Sequence, residues 1–147
     1  MKTLAYNKRA KFDYQLLETF EAGLKLIGNE VKSIKTGRAS LKGAYVTVHK
    51  NELYLINAHV PHYQNHVDTN YDPDRSRKLL MHRKEIDSLI GKKSASGLTI
   101  VPVRIYLKKG RIKLEISLAK GKKEFDKRHS IREREESRDM QRKLKNF

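Results

Sequence analysis

The chain has 147 residues, with 33 lysines and arginines against 17 acidic residues, a formal net charge of +16 and an isoelectric point near 10.1. That length suits one domain with an extension, and the charge points to a polyanion, either nucleic acid or an anionic membrane surface. No apolar run approaches the roughly 18 residues of a membrane span, and no cysteine is present to form a disulfide, a thiolate nucleophile or a cysteine-based zinc site.

The opening MKTLAYNKRAKF lacks the apolar stretch of a secretory signal, so a cytoplasmic, nucleic-acid-facing protein is expected. Residues 1–123 carry 25 basic against 11 acidic side chains, whereas residues 124–147 carry 8 against 6. The field that attracts a polyanion therefore belongs to the body, and the mixed-charge tail has another task.

Asn7, Lys8, Arg9 and Lys11 precede any apolar rhythm. Phe12, Tyr14, Leu16 and Phe20 then share one parity, which Leu24 and Leu26 resume after Gly23. This predicts one long strand with a bulge or bend at the glycine. Gly28-Asn29 offers a turn and a cap for a short helix over Glu30–Lys35, closed by Gly37. Tyr45, Val46 and Val48 form one arm of a hairpin, Lys50-Asn51 its turn and Leu53–Ala58 the other arm. His59–Arg77, with prolines and little pattern, reads as an exposed loop. Leu79, Leu80, Ile86, Leu89 and Ile90 space as one helical face, with Gly91 placed to end the helix.

The clearest signal is the last hairpin. Thr99–Leu107 is a strand with Pro102 marking an edge or a bulge. Lys109-Gly110 makes the turn, and Ile112, Leu114, Ile116 and Leu118 then alternate with Arg111, Lys113, Glu115 and Ser117. Lys113 on the outward face is either a solvated side chain or an RNA contact. Strands with short helices point to an all-β fold: a small closed barrel of the oligonucleotide-binding type over residues 1–123. Residues 124–147 form a C-terminal tail. There Ser130 and Glu133 have capping-box spacing, and Met140, Leu144 and Phe147 share a helical face. With so few apolar residues the tail is expected to be disordered in isolation and helical only on a partner.

Catalytic and metal signatures are weak. His59, His62 and His66 lie close in sequence, but Pro61 interrupts any helix that would align them. There is no nucleophile elbow, phosphate-binding glycine loop or zinc-protease motif. Neither an enzyme nor a cofactor is expected. Glu21, directly before Ala22-Gly23, suits accepting hydrogen bonds from base edges or an arginine. Arg75, Arg77 and Lys78 cluster beside Leu79-Leu80, and Arg104, Lys108, Lys109, Arg111 and Lys113 decorate the last hairpin. Together they outline a basic cradle for RNA, in which cations neutralise phosphates and specificity comes from splayed bases and shape.

Several stretches carry a resemblance: Asn7-Lys8-Arg9-Ala10, Phe20–Leu24, Gly28–Ser33, Asp72-Pro73, Arg77–Leu80 and Ala119–Arg128. In this order the chain resembles the SsrA-binding protein (small protein B) family, partners of transfer-messenger RNA (tmRNA, SsrA) in bacterial ribosome rescue. The resemblance implies an RNA-binding protein that clasps the tRNA-like domain of tmRNA and delivers it to stalled 70S ribosomes for trans-translation. It implies RNA binding at Asn7, Glu21, Leu80 and Lys113, to which the basic clusters add Lys8, Arg9, Arg77 and Lys78. The tail, with Lys122, Lys123, Asp126, Lys127, Arg128 and Met140, is implied to occupy the small-subunit decoding site and the empty mRNA channel. Elongation factor Tu is an expected companion in the delivery complex, and the chain is expected to be a monomer. Phe125 stands where some relatives have histidine, and Phe12 where some have a polar or basic residue. The rival readings are a generic ribosomal or single-stranded RNA-binding protein with the same barrel, and a metal-dependent nuclease built on the loop histidines.

Overall fold

A computed structural model of the chain describes residues 1–63, 70–122 and 138. In chain order the elements are β1 (Lys2–Tyr6), α1 (Ala10–Asp13), β2 (Tyr14–Leu24), α2 (Gly28–Lys35), β3 (Tyr45–His49) and β4 (Glu52–Ile56). There follow β5 (Arg77–Leu80), α3 (Arg83–Ser96), β6 (Thr99–Lys108) and β7 (Arg111–Gly121). All strand pairings are antiparallel, in one seven-stranded sheet of order β1-β6-β7-β2-β5-β4-β3. The rolled sheet buries Leu53, Leu55, Leu114 and Ile116 together with Ile34 of α2 and Leu89 of α3. No helix among the described residues is long and apolar enough to cross a membrane.

Both hairpins form where turn chemistry placed them. Lys50 and Asn51 take φ of 50° and 60°, and Lys109 and Gly110 take 50° and 77°. These left-handed pairs match the right-handed twist of the flanking strands. Helix α2 also forms, with Gly37 beyond it at φ 79°.

Other expectations are corrected. The opening residues form β1, paired to the second half of β6 through Lys2↔Leu107 and Tyr6↔Arg104; five residues are too few for an alternation to stand out. Helix α1 precedes the long strand, whose irregularity falls between Leu16 and Glu18 rather than at Gly23. Leu79 and Leu80 are not helical. Pairing of β5 with β2 and β4 turns Leu79 into the core and Leu80 outward. Helix α3 passes through Gly91 and ends at Gly97, whose φ of 62° supplies the left-handed cap.

The closed barrel is corrected too. β1 and β3 end the hydrogen-bonded order, so the sheet is rolled but open. β3 comes to lie beside β6, yet the edge of β6 that would close the ring is already occupied. Pro102 has no N–H to offer, and its carbonyl accepts from Asn7 Nδ2 at 2.8 Å. The Asn7 backbone N–H donates to Val103 O at 2.8 Å. The ladder with β7 shifts register between Pro102 and Arg104, the bulge that the proline signalled.

The segment read as an exposed loop is anchored in the interior. Glu30 of α2 is 0% exposed and Arg77 is 1% exposed, with Arg77 Nε donating to Glu30 Oε2 at 2.6 Å. Arg77 Nη1 donates to Ala58 O at 2.8 Å, and Nη2 donates to Pro73 O at 2.9 Å and to the Tyr71 hydroxyl at 3.2 Å. Arg75 also pairs with Glu30, through Nη2 on Oε1 and Nε on Oε2. Burial alone would raise the Glu30 carboxyl pKa. Hydrogen bonds from Arg75, the Ile27 N–H and Arg77 outweigh burial and hold it below the ordinary carboxylate range.

Glu30→Gln should destabilise the chain by about 3–5 kcal/mol, because it leaves a buried guanidinium without its counter-charge; the midpoint of urea unfolding measures this. Because the folded pKa lies below the unfolded one, the contribution of Glu30 is complete above the ordinary carboxylate range. It is lost as pH falls through the folded value, so the gap between the parent and Glu30→Gln should narrow only in acid.

Candidate nucleic-acid interface

The outward face of the sheet brings distant residues into one row. Gly23 on β2 pairs with Lys113 on β7 and with Leu80 on β5, while Tyr106 on β6 pairs with Lys113. The row therefore runs Tyr106, Lys113, Gly23, Leu80. The glycine keeps its middle low: a Cβ at Gly23 would stand 3.3 Å from Leu80 Cβ, tighter than ordinary contact. An open cleft of about 490 Å³ results, lined by Glu21, Gly23, Leu80, Met81, His82 and Lys113. Leu80 is 51% exposed at its edge.

Glu21 Oε2 accepts the Tyr106 hydroxyl and, at 3.3 Å, Lys108 Nζ. The hydrogen bond from Tyr106 is the chief reason the Glu21 carboxyl sits below its ordinary pKa; desolvation opposes it, and Lys108 and the charge of Lys113 assist. Burial and the adjoining carboxylate push the Tyr106 hydroxyl well above its ordinary value, so it stays a donor. The Arg104 guanidinium lies 4.5 Å over the Tyr106 ring, donates from Nη1 to Thr3 Oγ1 at 2.9 Å, and pairs with Glu115 at 3.4 Å.

Of the residues singled out in the sequence, Glu21, Leu80 and Lys113 meet in this cleft. Lys78 alternates with the inward residues of β5 and approaches Glu52 at 3.9 Å. Lys8 and Arg9 line a different cleft, with Tyr6 and Lys42. There Arg9 pairs with Asp13 at 3.2 Å and lies 4.6 Å over the Phe12 ring. Asn7 is buried, its amide holding Pro102 O and accepting the Arg9 N–H. Arg77 is a correction: its guanidinium is buried among Glu30, Ala58, Tyr71 and Pro73, out of reach of a phosphate.

Lys122 donates its backbone N–H to Asp13 O at 2.9 Å. Lys123, Phe125, Asp126, Lys127, Arg128, Met140 and the tail's capping-box and helical-face residues lie outside the described residues, as does His66. His59 faces Asp74 at 2.8 Å and His62 faces Asn29 at 3.3 Å, so these two imidazoles turn to separate partners. Among the described residues no three metal-ligating side chains converge.

Sequence reasoning missed Tyr106 and the central place of Gly23. The outward parity of Arg104, Tyr106 and Lys108 was the available signal for the tyrosine; nothing local marks the glycine as a neighbour of Leu80. The two adjacent leucines should separate in a stability assay. Leu79→Ala should cost about 2–5 kcal/mol, whereas Leu80→Ala should stay within about 0.5 kcal/mol, as read from urea unfolding midpoints.

Residues 4–146 match the model of the family described as SmpB protein. The SsrA-binding protein of Parafrankia sp. (strain EAN1pec) is 50% identical over 141 residues, covering 96% of this chain and 89% of that protein. The SsrA-binding protein of Nostoc sp. (strain PCC 7120) is 48% identical over 147 residues, covering 99% and 95%. A solved structure described as "tmRNA-SmpB: a journey to the center of the bacterial ribosome" superimposes with a TM-score of 0.66 at 43% identity, covering 81% of this chain and 84% of that one. Likeness in sequence over nearly the whole length, together with likeness in fold, places this chain in the SmpB protein family.

Proposed function

We propose that the chain binds the tRNA-like domain of tmRNA and delivers it to stalled ribosomes for trans-translation, acting in the cytoplasm as an adaptor and not as an enzyme. The observation that carries this reading is the row of Lys113, Gly23 and Leu80 with Glu21 beside it. A cation, an exposed apolar side chain and an ionised carboxylate share one cleft, which suits the parts of an unstacked nucleotide. Lys113 takes a phosphate, Leu80 packs on a ribose or base, and Glu21 accepts from a base N–H or a ribose hydroxyl. The names of the relatives and of the structural neighbour supply the identity of the RNA and the ribosome as its destination.

In this reading residues 1–123 form an oligonucleotide-binding-type platform, to which Lys8, Arg9 and Lys78 add charge, and residues 124–147 are the ribosome-directed tail. The tail, through Lys122, Lys123, Asp126, Lys127, Arg128 and Met140, enters the decoding site and the empty mRNA channel. Elongation factor Tu accompanies a monomer of this chain in the delivery complex. The division of charge supports this, since the body holds most of the positive excess.

Competition between the tRNA-like part of tmRNA and an ordinary tRNA of similar size tests the reading. A preference that survives rising salt is expected; equal affinities that collapse together would mean generic phosphate binding. Lys113→Ala should flatten the slope of log affinity against log salt by about one unit, the loss of a single phosphate contact. Deleting residues 129–147 should leave RNA affinity nearly intact while abolishing tagging on stalled ribosomes; a parallel loss of RNA binding would contradict the division of labour.

A further inference from the structure

Glu21 and Lys113 line the same cleft with opposite charges, yet they do not pair. Both donors to Glu21 fall on Oε2, and Oε1 has no hydrogen-bond partner among the described residues. The Lys113 ammonium likewise makes no hydrogen bond or ion pair among them. An untethered carboxylate beside that ammonium could turn to it and partly neutralise the site from within. Glu21 Oε2 is instead held by the Tyr106 hydroxyl and by Lys108 Nζ, of which only the buried tyrosine is fixed in place.

We propose that Tyr106 is a positioning residue of the RNA site: its hydroxyl tethers the Glu21 carboxylate away from Lys113, which keeps Oε1 open to an RNA donor and the ammonium open to a phosphate. The inference rests on the RNA-binding function proposed above. Tyr106 pairs with Lys113 in the ladder and reaches across β7 to Glu21 on β2. It is built for a fixed posture, being 4% exposed with Arg104 over its ring. Arg104 is itself held by Thr3 from β1 and by Glu115 from β7. A tether on four strands would not reorganise when RNA arrives, so the site meets its ligand preorganised.

The test uses the full chain and Tyr106→Phe, which keeps the ring and deletes only the hydroxyl. Without RNA, NMR of the Lys113 ammonium should show it engaged by the Glu21 carboxylate in the variant, its protons exchanging more slowly with water than in the parent. Lys108, Lys113, Glu115, His82 and Glu85 face the same region and are unchanged in both proteins. With the tRNA-like part of tmRNA as probe, affinity should fall roughly fivefold, the worth of one net hydrogen bond, and the salt slope should flatten by about one unit as Lys113 becomes engaged. In a Glu21→Ala background, Tyr106→Phe should change neither affinity nor slope. A Lys113 ammonium that behaves alike in parent and variant, or an equal loss of affinity in the Glu21→Ala background, would overturn the proposal. Failure of the parent chain to prefer the tRNA-like RNA over tRNA would instead count against the proposed function, while the Lys113 ammonium signal would still decide the role of Tyr106.

Discussion

The rest of the structure depends on one buried ion pair. Glu30 on a short helix and Arg77 at the start of β5 are both withdrawn from water and bonded to each other, with Arg77 donating in addition to backbone carbonyls. Taking two charges out of water is costly unless geometry and extra hydrogen bonds compensate. Here Arg75, the Ile27 N–H and Tyr71 complete the set around them. The pair ties α2, the preceding segment and β5 to one another. Because Arg77 points inward, alternation along β5 sends Leu79 to the core and leaves Lys78 and Leu80 outside. The exposed leucine of the candidate site is thus a consequence of a charge buried three residues earlier.

That leucine would be a surface accident without what lies beside it. Gly23 lowers the sheet between Leu80 and Lys113, and Glu21 brings a carboxylate into surroundings rich in cations. A carboxylate repels phosphate, so it weakens indiscriminate attraction in a chain of net charge +16. At the same time it rewards a ligand that presents a donor in one place, and specificity arises from such differences between partners. In the proposed function, the aromatic hydroxyl and the lysine that hold it in place make this repulsive charge a point of selection. The seam of the rolled sheet follows a similar economy. A proline carbonyl and an asparagine amide occupy the edge that would otherwise close the ring, leaving an open cleft beside β3.

By itself the sequence determined the antiparallel β architecture, both left-handed hairpin turns and the short helix after Gly28, and it singled out Glu21, Leu80 and Lys113, which line one cleft. Turns and alternation are local chemistry, and a left-handed pair such as Lys50-Asn51 is written into the residues that tolerate it. The site members came from the resemblance in motif order, since nothing in period or charge joins position 21 to positions 80 and 113. Tertiary structure alone decided the rest. Leu79 and Leu80 have the spacing of a helix, but β2 and β4 offered a strand pairing that outweighs propensity. Arg77 sits in a basic cluster that looks solvated, and only the approach of Glu30, 47 residues away in sequence, makes it an interior group. Pro102 announced a bulge correctly, but that Asn7 would occupy its carbonyl and keep the sheet open depends on a contact spanning 95 residues. Long-range pairing is where a linear reading loses its hold, because the partner that decides a residue's fate is not its neighbour in the chain.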